Sequence, residues 1–344
     1  MDSFERVYAA LTGRPVDRPP VFPQIGDHAG IIAGLPYNVM YEDAERAAQA
    51  HLDAQQLYGY DFVAIQVEPS WPVAEACGAG VTYPPNKYPW ITDYLIKTEE
   101  DLEKLRVPDF MATRSTRVMI EGTRLLAERA PVPTAAFMTG PMTFSLQLMP
   151  YASVIKRVLK NPAFVHRLVG KATEVIQAYA EALKAAGATI FVICEHDVQM
   201  MSPKHIKEFS LDYLPALLSI YDYTILHVCG DVTPHLAANA SHLKNLDGLN
   251  TINVGPKVDI AATQKLLDGR IGVAGNIDHI ELLPLGAPGD IEATVWAAIE
   301  ASGGDPRFMI APGCEITSDT PVENVKAFVR AAATYTMRSR SPSV

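Results

Sequence analysis

Three residues of this sequence have the side chains and the spacing that a metal ion requires. His227 and Cys229 stand two positions apart in ILHVCGD, and Cys314 lies in IAPGCEI. Residues i and i+2 of a β-strand point to the same face with Cα atoms about 6.6 Å apart, so imidazole and thiolate can converge on one ion. Sulfur together with imidazole favours zinc over magnesium or calcium. Three protein ligands leave a fourth position exchangeable, which is typical of a catalytic zinc site.

Two acidic residues are further candidates for the site. Glu195, in VICEHD, follows a predicted strand and is a candidate oxygen ligand or general base. The alternative role for Glu195 is a carboxylate at the rim, paired with His196 or Lys204. Asp278, in GNIDHIELL, follows another predicted strand and could hydrogen-bond the substrate or a ligand histidine. Its alternative role is to cap the helix that follows.

The other cysteines and one more histidine are expected to be structural. Cys194 precedes Glu195 and should point to the opposite side of the strand, into the core. Cys77 lies outside every predicted strand, and we expect it to be a packing residue. Asp27 and His28 follow the first predicted strand, where we expect a solvated loop. Four cysteines in 344 residues do not form a disulfide framework, and they fit a reducing compartment.

Residues so far apart in sequence need a scaffold that brings strand ends together. After a predicted helix from about Asp2 to Thr12, short apolar runs rich in β-branched residues alternate with longer amphipathic stretches. The predicted strands are residues 20–25, 61–66, 133–138, 188–194, 223–229, 248–254, 271–276 and 308–313. Eight βα units favour an α/β fold of the closed (β/α)₈ TIM barrel type, whose strands all end at one rim. No glycine-rich nucleotide loop follows any predicted strand, which disfavours an open doubly wound sheet.

One long segment interrupts the regular alternation of predicted strands and helices. Residues 67–132 separate the second and third predicted strands and are rich in Pro, Trp and Tyr in their first half. We predict that they form an excursion over the barrel mouth, for which a substrate lid is one use. The apolar periodicity of residues 162–187 predicts a helix that packs one face on the sheet. We expect residues 1–344 to form one barrel domain with an N-terminal helical extension.

Composition and charge exclude several classes of partner. The chain is 48% hydrophobic and 20% charged, a balance typical of a folded protein with a sizeable core. Lys and Arg total 29 against 39 Asp and Glu, which gives a net charge of −10 and argues against nucleic acid. The longest uncharged stretch, residues 130–155, contains several prolines, so we predict no transmembrane helix. The N-terminus shows no signal or transit peptide, and a cytoplasmic protein is expected.

The sequence resembles the uroporphyrinogen decarboxylase superfamily, and within it the methylcobamide:coenzyme M methyltransferase branch. The resemblance runs from FERVYAALTGRPVDRPPVFP through MTGPMTFSLQLMP and HVCGDVTPHL to APGCEITSDTPVENVKAFVRAA. That branch binds zinc through an H-x-C motif and a distant cysteine, which correspond to His227, Cys229 and Cys314. The decarboxylase branch needs no metal and carries arginines after its first strand. Since VFPQIGDHAGIIAGLPYN contains no arginine, decarboxylation is the weaker interpretation.

The resemblance implies a zinc-dependent methyltransferase that moves a methyl group between a corrinoid protein and a thiol such as coenzyme M. Coordination by zinc deprotonates a thiol and so makes it a nucleophile. The alternative is a zinc-dependent demethylase, which would pass a methyl group from a methoxy, methylamine or methylthio donor to the corrinoid protein. The corrinoid signature D-x-H-x-x-G does not occur here, so a partner protein or free cobalamin must supply the corrinoid. A barrel that binds zinc only as a scaffold would require enclosed rim cysteines.

Overall fold

The first helix, α1 (Ser3–Thr12), is limited at both ends by local hydrogen bonds. The Asp2 carboxylate accepts a hydrogen bond from the backbone N–H of Glu5 at 2.8 Å, and the Glu5 side chain accepts one from the N–H of Asp2. Gly13, with φ of 73°, ends the helix in the left-handed region. The computed structural model describes residues 1–65 and 70–335. It confirms the helix predicted from about Asp2 to Thr12.

The chain between α1 and the main sheet contains six helices and a hairpin among the described residues. In chain order they are α2 (His28–Ile32), α3 (Val39–Glu42), α4 (Ala44–Tyr58), α5 (Ser70–Cys77), β1 (Gly80–Thr82), β2 (Trp90–Asp93), α6 (Glu99–Lys104) and α7 (Arg114–Arg129). The strands β1 and β2 pair antiparallel. The predicted excursion therefore contains regular structure, although its residues 67–69 lie outside the described residues.

The excursion packs on the loop that leads into α3. The backbone N–H of Tyr37 donates to the carbonyl oxygen of Pro85 at 3.1 Å. The rings of Tyr37 and Tyr88 meet edge to face, with centroids 5.2 Å apart. Since this loop follows the first strand segment of the barrel, the contacts place the segment between β1 and β2 at the mouth.

Six parallel strands form the main sheet, and each pairs with the next one along the chain. They are β3 (Ala135–Thr139), β4 (Ile190–Cys194), β5 (Tyr223–Val228), β6 (Thr251–Val254), β7 (Gly272–Ile277) and β8 (Met309–Pro312). All six correspond to predicted strands. Parallel order with helical connections places every strand end at one rim.

Helices cover the outside of this sheet. They are α8 (Pro141–Leu148), α9 (Tyr151–Lys160), α10 (Pro162–Ala185), α11 (Pro203–Phe209), α12 (Leu214–Leu218), α13 (Thr233–Leu243), α14 (Ile260–Leu267), α15 (Leu282–Leu285), α16 (Pro288–Ala301) and α17 (Val322–Thr334), with 3₁₀ turns at Asp197–Met200 and Leu211–Tyr213. The helix predicted for residues 162–187 is confirmed as α10. Among the helices of the described part of the chain, none is both long and apolar enough to cross a membrane.

The first two predicted strands appear as short segments, residues 20–22 and 61–63, which we call the seam. Val21 forms a parallel bridge with Ile310 of β8, and Val63 forms one with Thr134, next to β3. The backbone N–H of Asp61 donates to the carbonyl oxygen of Val21 at 3.2 Å. Hydrogen bonds therefore lead from β8 through the seam to β3, as the predicted eight-stranded barrel requires.

The seam is shorter than the predicted strands 20–25 and 61–66. In the predicted strand 20–25, Pro20 and Pro23 have no backbone N–H and cannot donate to a ladder of hydrogen bonds. For the second segment, the last predicted residue, 66, lies outside the described residues.

Alternating residues of the strands fill the barrel interior. Phe22 and Phe62 of the seam pack with ring centroids 4.8 Å apart, and Phe22 and Phe137 of β3 pack at 5.9 Å. The same cluster includes Ile225 of β5. Because side chains alternate along a strand, His227, two residues after Ile225, also points to the interior face.

A buried ion network joins α1 to the seam. The Asp61 side chain is fully buried and accepts hydrogen bonds from Arg6 Nη1 at 2.8 Å and Arg18 Nη1 at 2.7 Å. It also accepts from the backbone N–H of Val21 at 2.7 Å and from Ser3 Oγ at 2.9 Å. Two cations and two neutral donors therefore compensate the cost of burying this carboxylate.

Acid should destabilise the fold through a buried histidine of α4. Burial lowers the pKa of His51 to about 4, and a hydrogen bond to the backbone of Ile65 offsets this only in part. Below a pH of about 6.5 the unfolded chain binds a proton at this position that the folded chain does not. The free energy of unfolding should therefore decrease by about 3 kcal/mol through this residue between pH 7 and pH 4.

Urea unfolding of wild type and His51→Gln across this pH range tests the prediction. The substitution should remove this part of the pH dependence, whatever its effect at pH 7. His166→Gln, at an exposed histidine, is the control. An unchanged pH dependence in His51→Gln would contradict the prediction.

Candidate metal centre

The ends of β5 and β8 bring His227, Cys229 and Cys314 together. One ligand atom of each residue lies within 4.8 Å of the other two. Nε2 of His227 and Sγ of Cys314 are 3.6 Å apart. In a tetrahedral site with Zn–S of about 2.3 Å and Zn–N of about 2.0 Å, neighbouring nitrogen and sulfur ligands are separated by about 3.5 Å. The donor types and this spacing therefore fit a zinc ion.

A glycine beside each cysteine allows the two ligand loops to approach their neighbours closely. Gly230, after Cys229, has φ of 81°, and a Cβ there would lie 1.6 Å from Oε1 of Gln199. Gly313, before Cys314, would place a Cβ 2.4 Å from Cδ of Pro256. At Gly313 a larger residue would displace the loop that carries Cys314, because the obstructing atoms belong to the Pro256 ring. At Gly230 the positive φ disfavours any other residue.

The three candidate ligands differ in their exposure. The imidazole of His227 is buried, whereas Cys229 and Cys314 are half-buried. Cys229 Sγ also lies 3.9 Å from the carbonyl oxygen of His196. The thiols therefore face the mouth, which argues against the scaffold alternative because that role needs enclosed cysteines.

Behind His227 lies a side-chain amide that the sequence analysis missed. Oδ1 of Asn253, on β6, is 2.5 Å from Nδ1 of His227, and Gln24 Nε2 donates to the same oxygen at 3.0 Å. Both amides are buried. Asn253 lies on the interior face of its strand at the level of His227, its partner in the register of β5 and β6. Only a correct prediction of how β5 and β6 pair could have indicated this contact from the sequence.

Glu195 lies at the end of β4, but its carboxylate is held by the first turn of α8. Oε1 accepts from the backbone N–H of Met142 at 3.0 Å and from Ser210 Oγ at 2.7 Å, and Oε2 accepts from the N–H of Thr143 at 2.9 Å. Burial raises the pKa of Glu195, and these hydrogen bonds oppose the increase. Its backbone N–H donates to the carbonyl oxygen of His227 at 2.9 Å. The carboxylate is outside the group of three ligand atoms.

Cys194, rather than Glu195, shares the interior face with His227. Cys194 is buried in the interior cluster and is the register partner of His227. Cys194 is therefore a core residue, as predicted. Its side chain points into the barrel interior, on the same face as His227. Cys77, also predicted to be structural, is half-buried, and burial raises the pKa of its thiol to about 12.

Asp278 does not cap α15, the helix that follows, because the N-cap position of that helix is Glu281 and no side chain caps it. The carboxylate of Asp278 closes the turn before the helix instead. Its Oδ1 accepts hydrogen bonds from the backbone N–H of Ile280 at 2.8 Å and of Glu281 at 2.9 Å. These contacts shape the turn between β7 and α15. The carboxylate is half-buried at the rim.

The expectation of a solvated loop at Asp27 and His28 is wrong. Both side chains are buried, and His28 Nε2 lies 2.8 Å from the hydroxyl of Tyr58 while Nδ1 lies 3.0 Å from the carbonyl oxygen of Ser318. The loop after β8 and helix α4 cover this position. Burial lowers the pKa of His28, which favours the neutral imidazole.

The sequence profile of the uroporphyrinogen decarboxylase (URO-D) family matches residues 2–335, and the chain therefore belongs to this family. It is 28% identical to the methylcobamide:CoM methyltransferase MtaA of Methanosarcina barkeri, over 96% of this chain and 97% of that one. It is 25% identical to a uroporphyrinogen decarboxylase of Chloroflexus aurantiacus, over 98% of each chain. These matches confirm the resemblance that the sequence motifs indicated.

A solved structure supports the fold class. A methyltransferase from Methanosarcina mazei is 27% identical and superposes with a TM-score of 0.86, covering 97% of this chain and 98% of that one. A B12-independent methionine synthase from Shewanella shares the fold at 13% identity and a TM-score of 0.55. The predicted TIM-barrel class is confirmed.

Proposed function

We propose that the protein is a zinc-dependent transferase that moves a methyl group between a corrinoid and a thiol such as coenzyme M. The observation that carries the proposal is a group of three side chains at the strand ends. The ligand atoms of His227, Cys229 and Cys314 lie within 4.8 Å of one another. Support comes from the relative in Methanosarcina barkeri, which is named a methylcobamide:CoM methyltransferase. A bound zinc ion would supply Lewis acidity and keep a substrate thiol deprotonated at neutral pH.

Each of the three candidate ligands would contribute one donor atom to the ion. Nε2 of His227 would be the nitrogen ligand, and the sulfurs of Cys229 and Cys314, bound as thiolates, would balance the charge of a divalent ion. The ion would keep a substrate thiol deprotonated and nucleophilic toward a methyl group. Three ligands from the protein would leave a position for that substrate.

For Glu195 and Asp278 we propose positioning roles at the rim. Glu195 joins the end of β4 to α8 through its carboxylate and to His227 through its backbone N–H. Asp278 fixes the turn after β7. Glu195 therefore acts on the shape of the mouth and on the strand that carries His227, and Asp278 acts on the shape of the mouth.

We propose that the corrinoid approaches at the same rim, on a partner protein or as free cobalamin. Met200 and Ile280, on turns after β4 and β7, expose 77% and 57% of their surface. Exposed apolar side chains around a mouth suit contact with an apolar ring or a protein partner. The four cysteines of the described chain form no disulfide, which suits a reducing compartment, so we propose the cytoplasm as its location.

Methyl transfer to a thiol is the test of this function. Zinc-loaded protein, mixed anaerobically with methylcobalamin and coenzyme M, should consume the methyl–cobalt absorbance and produce cob(I)alamin. Protein stripped of metal by a chelator is the control and should be inactive. Elemental analysis should find about one zinc per chain in the active sample, as expected for one site with three protein ligands.

The reverse assay separates the two directions of transfer. Cob(I)alamin is incubated with methoxy, methylamine and methylthio donors and scored for methylcobalamin. Formation of methylcobalamin here, with no transfer to thiols, would favour the demethylase alternative. Silence in both assays with zinc bound would reject corrinoid methyl transfer. We expect no carbon dioxide release from uroporphyrinogen, because the segment after the first strand contains no arginine.

A further inference from the structure

The side-chain amide of Asn253 has its oxygen and nitrogen atoms in different surroundings. Oδ1 faces Nδ1 of His227 at 2.5 Å and Nε2 of Gln24 at 3.0 Å. Nδ2 donates to the carbonyl oxygens of Ala274 at 3.2 Å and Pro312 at 3.4 Å. All four contacts are buried.

These contacts fix the orientation of the amide. If the amide were flipped, its oxygen would face two carbonyl oxygens and its nitrogen would face the Gln24 donor. Gln24 itself donates to the carbonyl of Pro312 at 3.1 Å, so its own orientation is fixed in the same way. The oxygen of Asn253 is therefore an acceptor toward His227.

An acceptor at Nδ1 determines which nitrogen of His227 carries the proton. Nδ1 must be the donor, so in the neutral ring Nε2 carries a lone pair. Nε2 is the atom that faces Sγ of Cys314 at 3.6 Å. The other tautomer would place an N–H bond where an ion has to bind.

We propose that Asn253 and Gln24 are positioning residues that hold His227 in its metal-binding tautomer before an ion arrives. This inference rests on the proposed metal site of His227, Cys229 and Cys314. The network also ties this tautomer to the carbonyl of Pro312, two residues before Cys314. One pair of amides thus orients the imidazole and anchors the backbone that leads to a thiol ligand.

The backbone of Gln24 is consistent with a required side-chain position. Its φ is 46°, in the left-handed region that residues other than glycine rarely adopt. The surrounding contacts must hold this conformation, and such residues cluster where a side chain has to be placed accurately. Here the side chain reaches from the loop after the first seam segment to β6.

The test compares zinc affinity in two variants of β6. Asn253→Leu removes the acceptor, and we expect zinc to bind about 10- to 100-fold more weakly, as is typical when the partner of a ligand histidine is lost. Thr251→Val is the matched control, because Thr251 is also fully buried on the interior face of β6 and its hydroxyl has no hydrogen-bond partner. The control should bind zinc like wild type. Affinity is measured by competition with a chromophoric chelator.

A second measurement separates positioning from a general loss of structure. In zinc-free wild type labelled with ¹⁵N-histidine, His227 should show a protonated Nδ1 in its nitrogen shifts, and this preference should disappear in Asn253→Leu. Asn253→Asp keeps an acceptor oxygen and should recover part of the affinity. If Asn253→Leu does not fold, Gln24→Met carries the test, with an expected loss of several-fold.

Two outcomes would overturn the inference. One is a folded Asn253→Leu with the zinc affinity of wild type, and the other is an unchanged His227 tautomer in that variant. Neither measurement depends on methyl transfer. Failure of the methyl-transfer assay would therefore reject the proposed function while leaving the zinc affinities interpretable.

Discussion

Replacing Cys314 by alanine should lower the rate of methyl transfer by about three orders of magnitude or more, by analogy with other enzymes that lose nucleophile activation. The expected cause is loss of one of the three proposed ligands, since His227 and Cys229 alone should hold an ion weakly. The zinc content of the purified variant should fall in parallel. Stopped-flow absorbance of the corrinoid and elemental analysis provide the two measurements.

The matched control is another cysteine of the same chain. Cys77→Ala removes a half-buried thiol in α5, outside the group of candidate ligands. It should keep its zinc and its rate. Full zinc content and full rate in Cys314→Ala would remove Cys314 from the site, and equal losses in both variants would show a nonspecific effect on the protein.

Replacing Asp61 by alanine should lower the free energy of unfolding by about 3–5 kcal/mol, the cost of breaking a buried ion pair. The variant leaves Arg18 without this carboxylate and Arg6 with Asp17 alone, and the two arginine side chains are only 15% and 8% exposed. It also removes the acceptor for the N–H of Val21 in the seam. Urea unfolding measures the change.

Glu128→Ala is the control for the Asp61 prediction. Glu128 pairs with Arg124 on the surface of α7, where both side chains are more than half exposed. An exposed pair of this kind should contribute less than about 1 kcal/mol. A loss in Asp61→Ala no larger than in Glu128→Ala would contradict the proposed role of the buried network.

The three candidate ligands could be predicted because each depends on a strand end. Apolar runs rich in β-branched residues predicted β5 and β8 within a few residues, and parallel strands place their ends at one rim. His227 and Cys229 then share a face by their spacing alone. Histidine and cysteine are uncommon enough that finding three of them at strand ends on one rim indicates a metal site.

The support behind the ligands could not be predicted in the same way. Asn253 and Gln24 are ordinary amides in sequence, and their roles depend on contacts across three strands. The face of β4 on which the Glu195 side chain lies depends on the register of β4 relative to β5, and a single sequence does not fix that register. The side that faces the barrel is occupied by Cys194 instead.

The seam shows where local pattern is a poor guide to pairing. Residues 20–25 have the composition of a buried strand, yet their prolines remove the donors that a full ladder needs. The burial of His28 was equally hidden, because the residues that cover it, Tyr58 and Ser318, are distant in sequence. Sequence patterns report local preferences, and these outcomes were decided by long-range packing.

The position of the seam separates the candidate metal centre from most of the two long insertions at the rim. The candidate ligands follow strands β5 and β8, which pair with neighbours over several residues. The insertions, residues 23–43 and the excursion, both follow seam segments instead. Gln24 at the start of the first insertion contacts Asn253, but beyond it we expect insertions and deletions to reshape the mouth while the candidate ligands stay in place. We therefore expect evolution to be able to change the substrate range of this barrel separately from its candidate metal site.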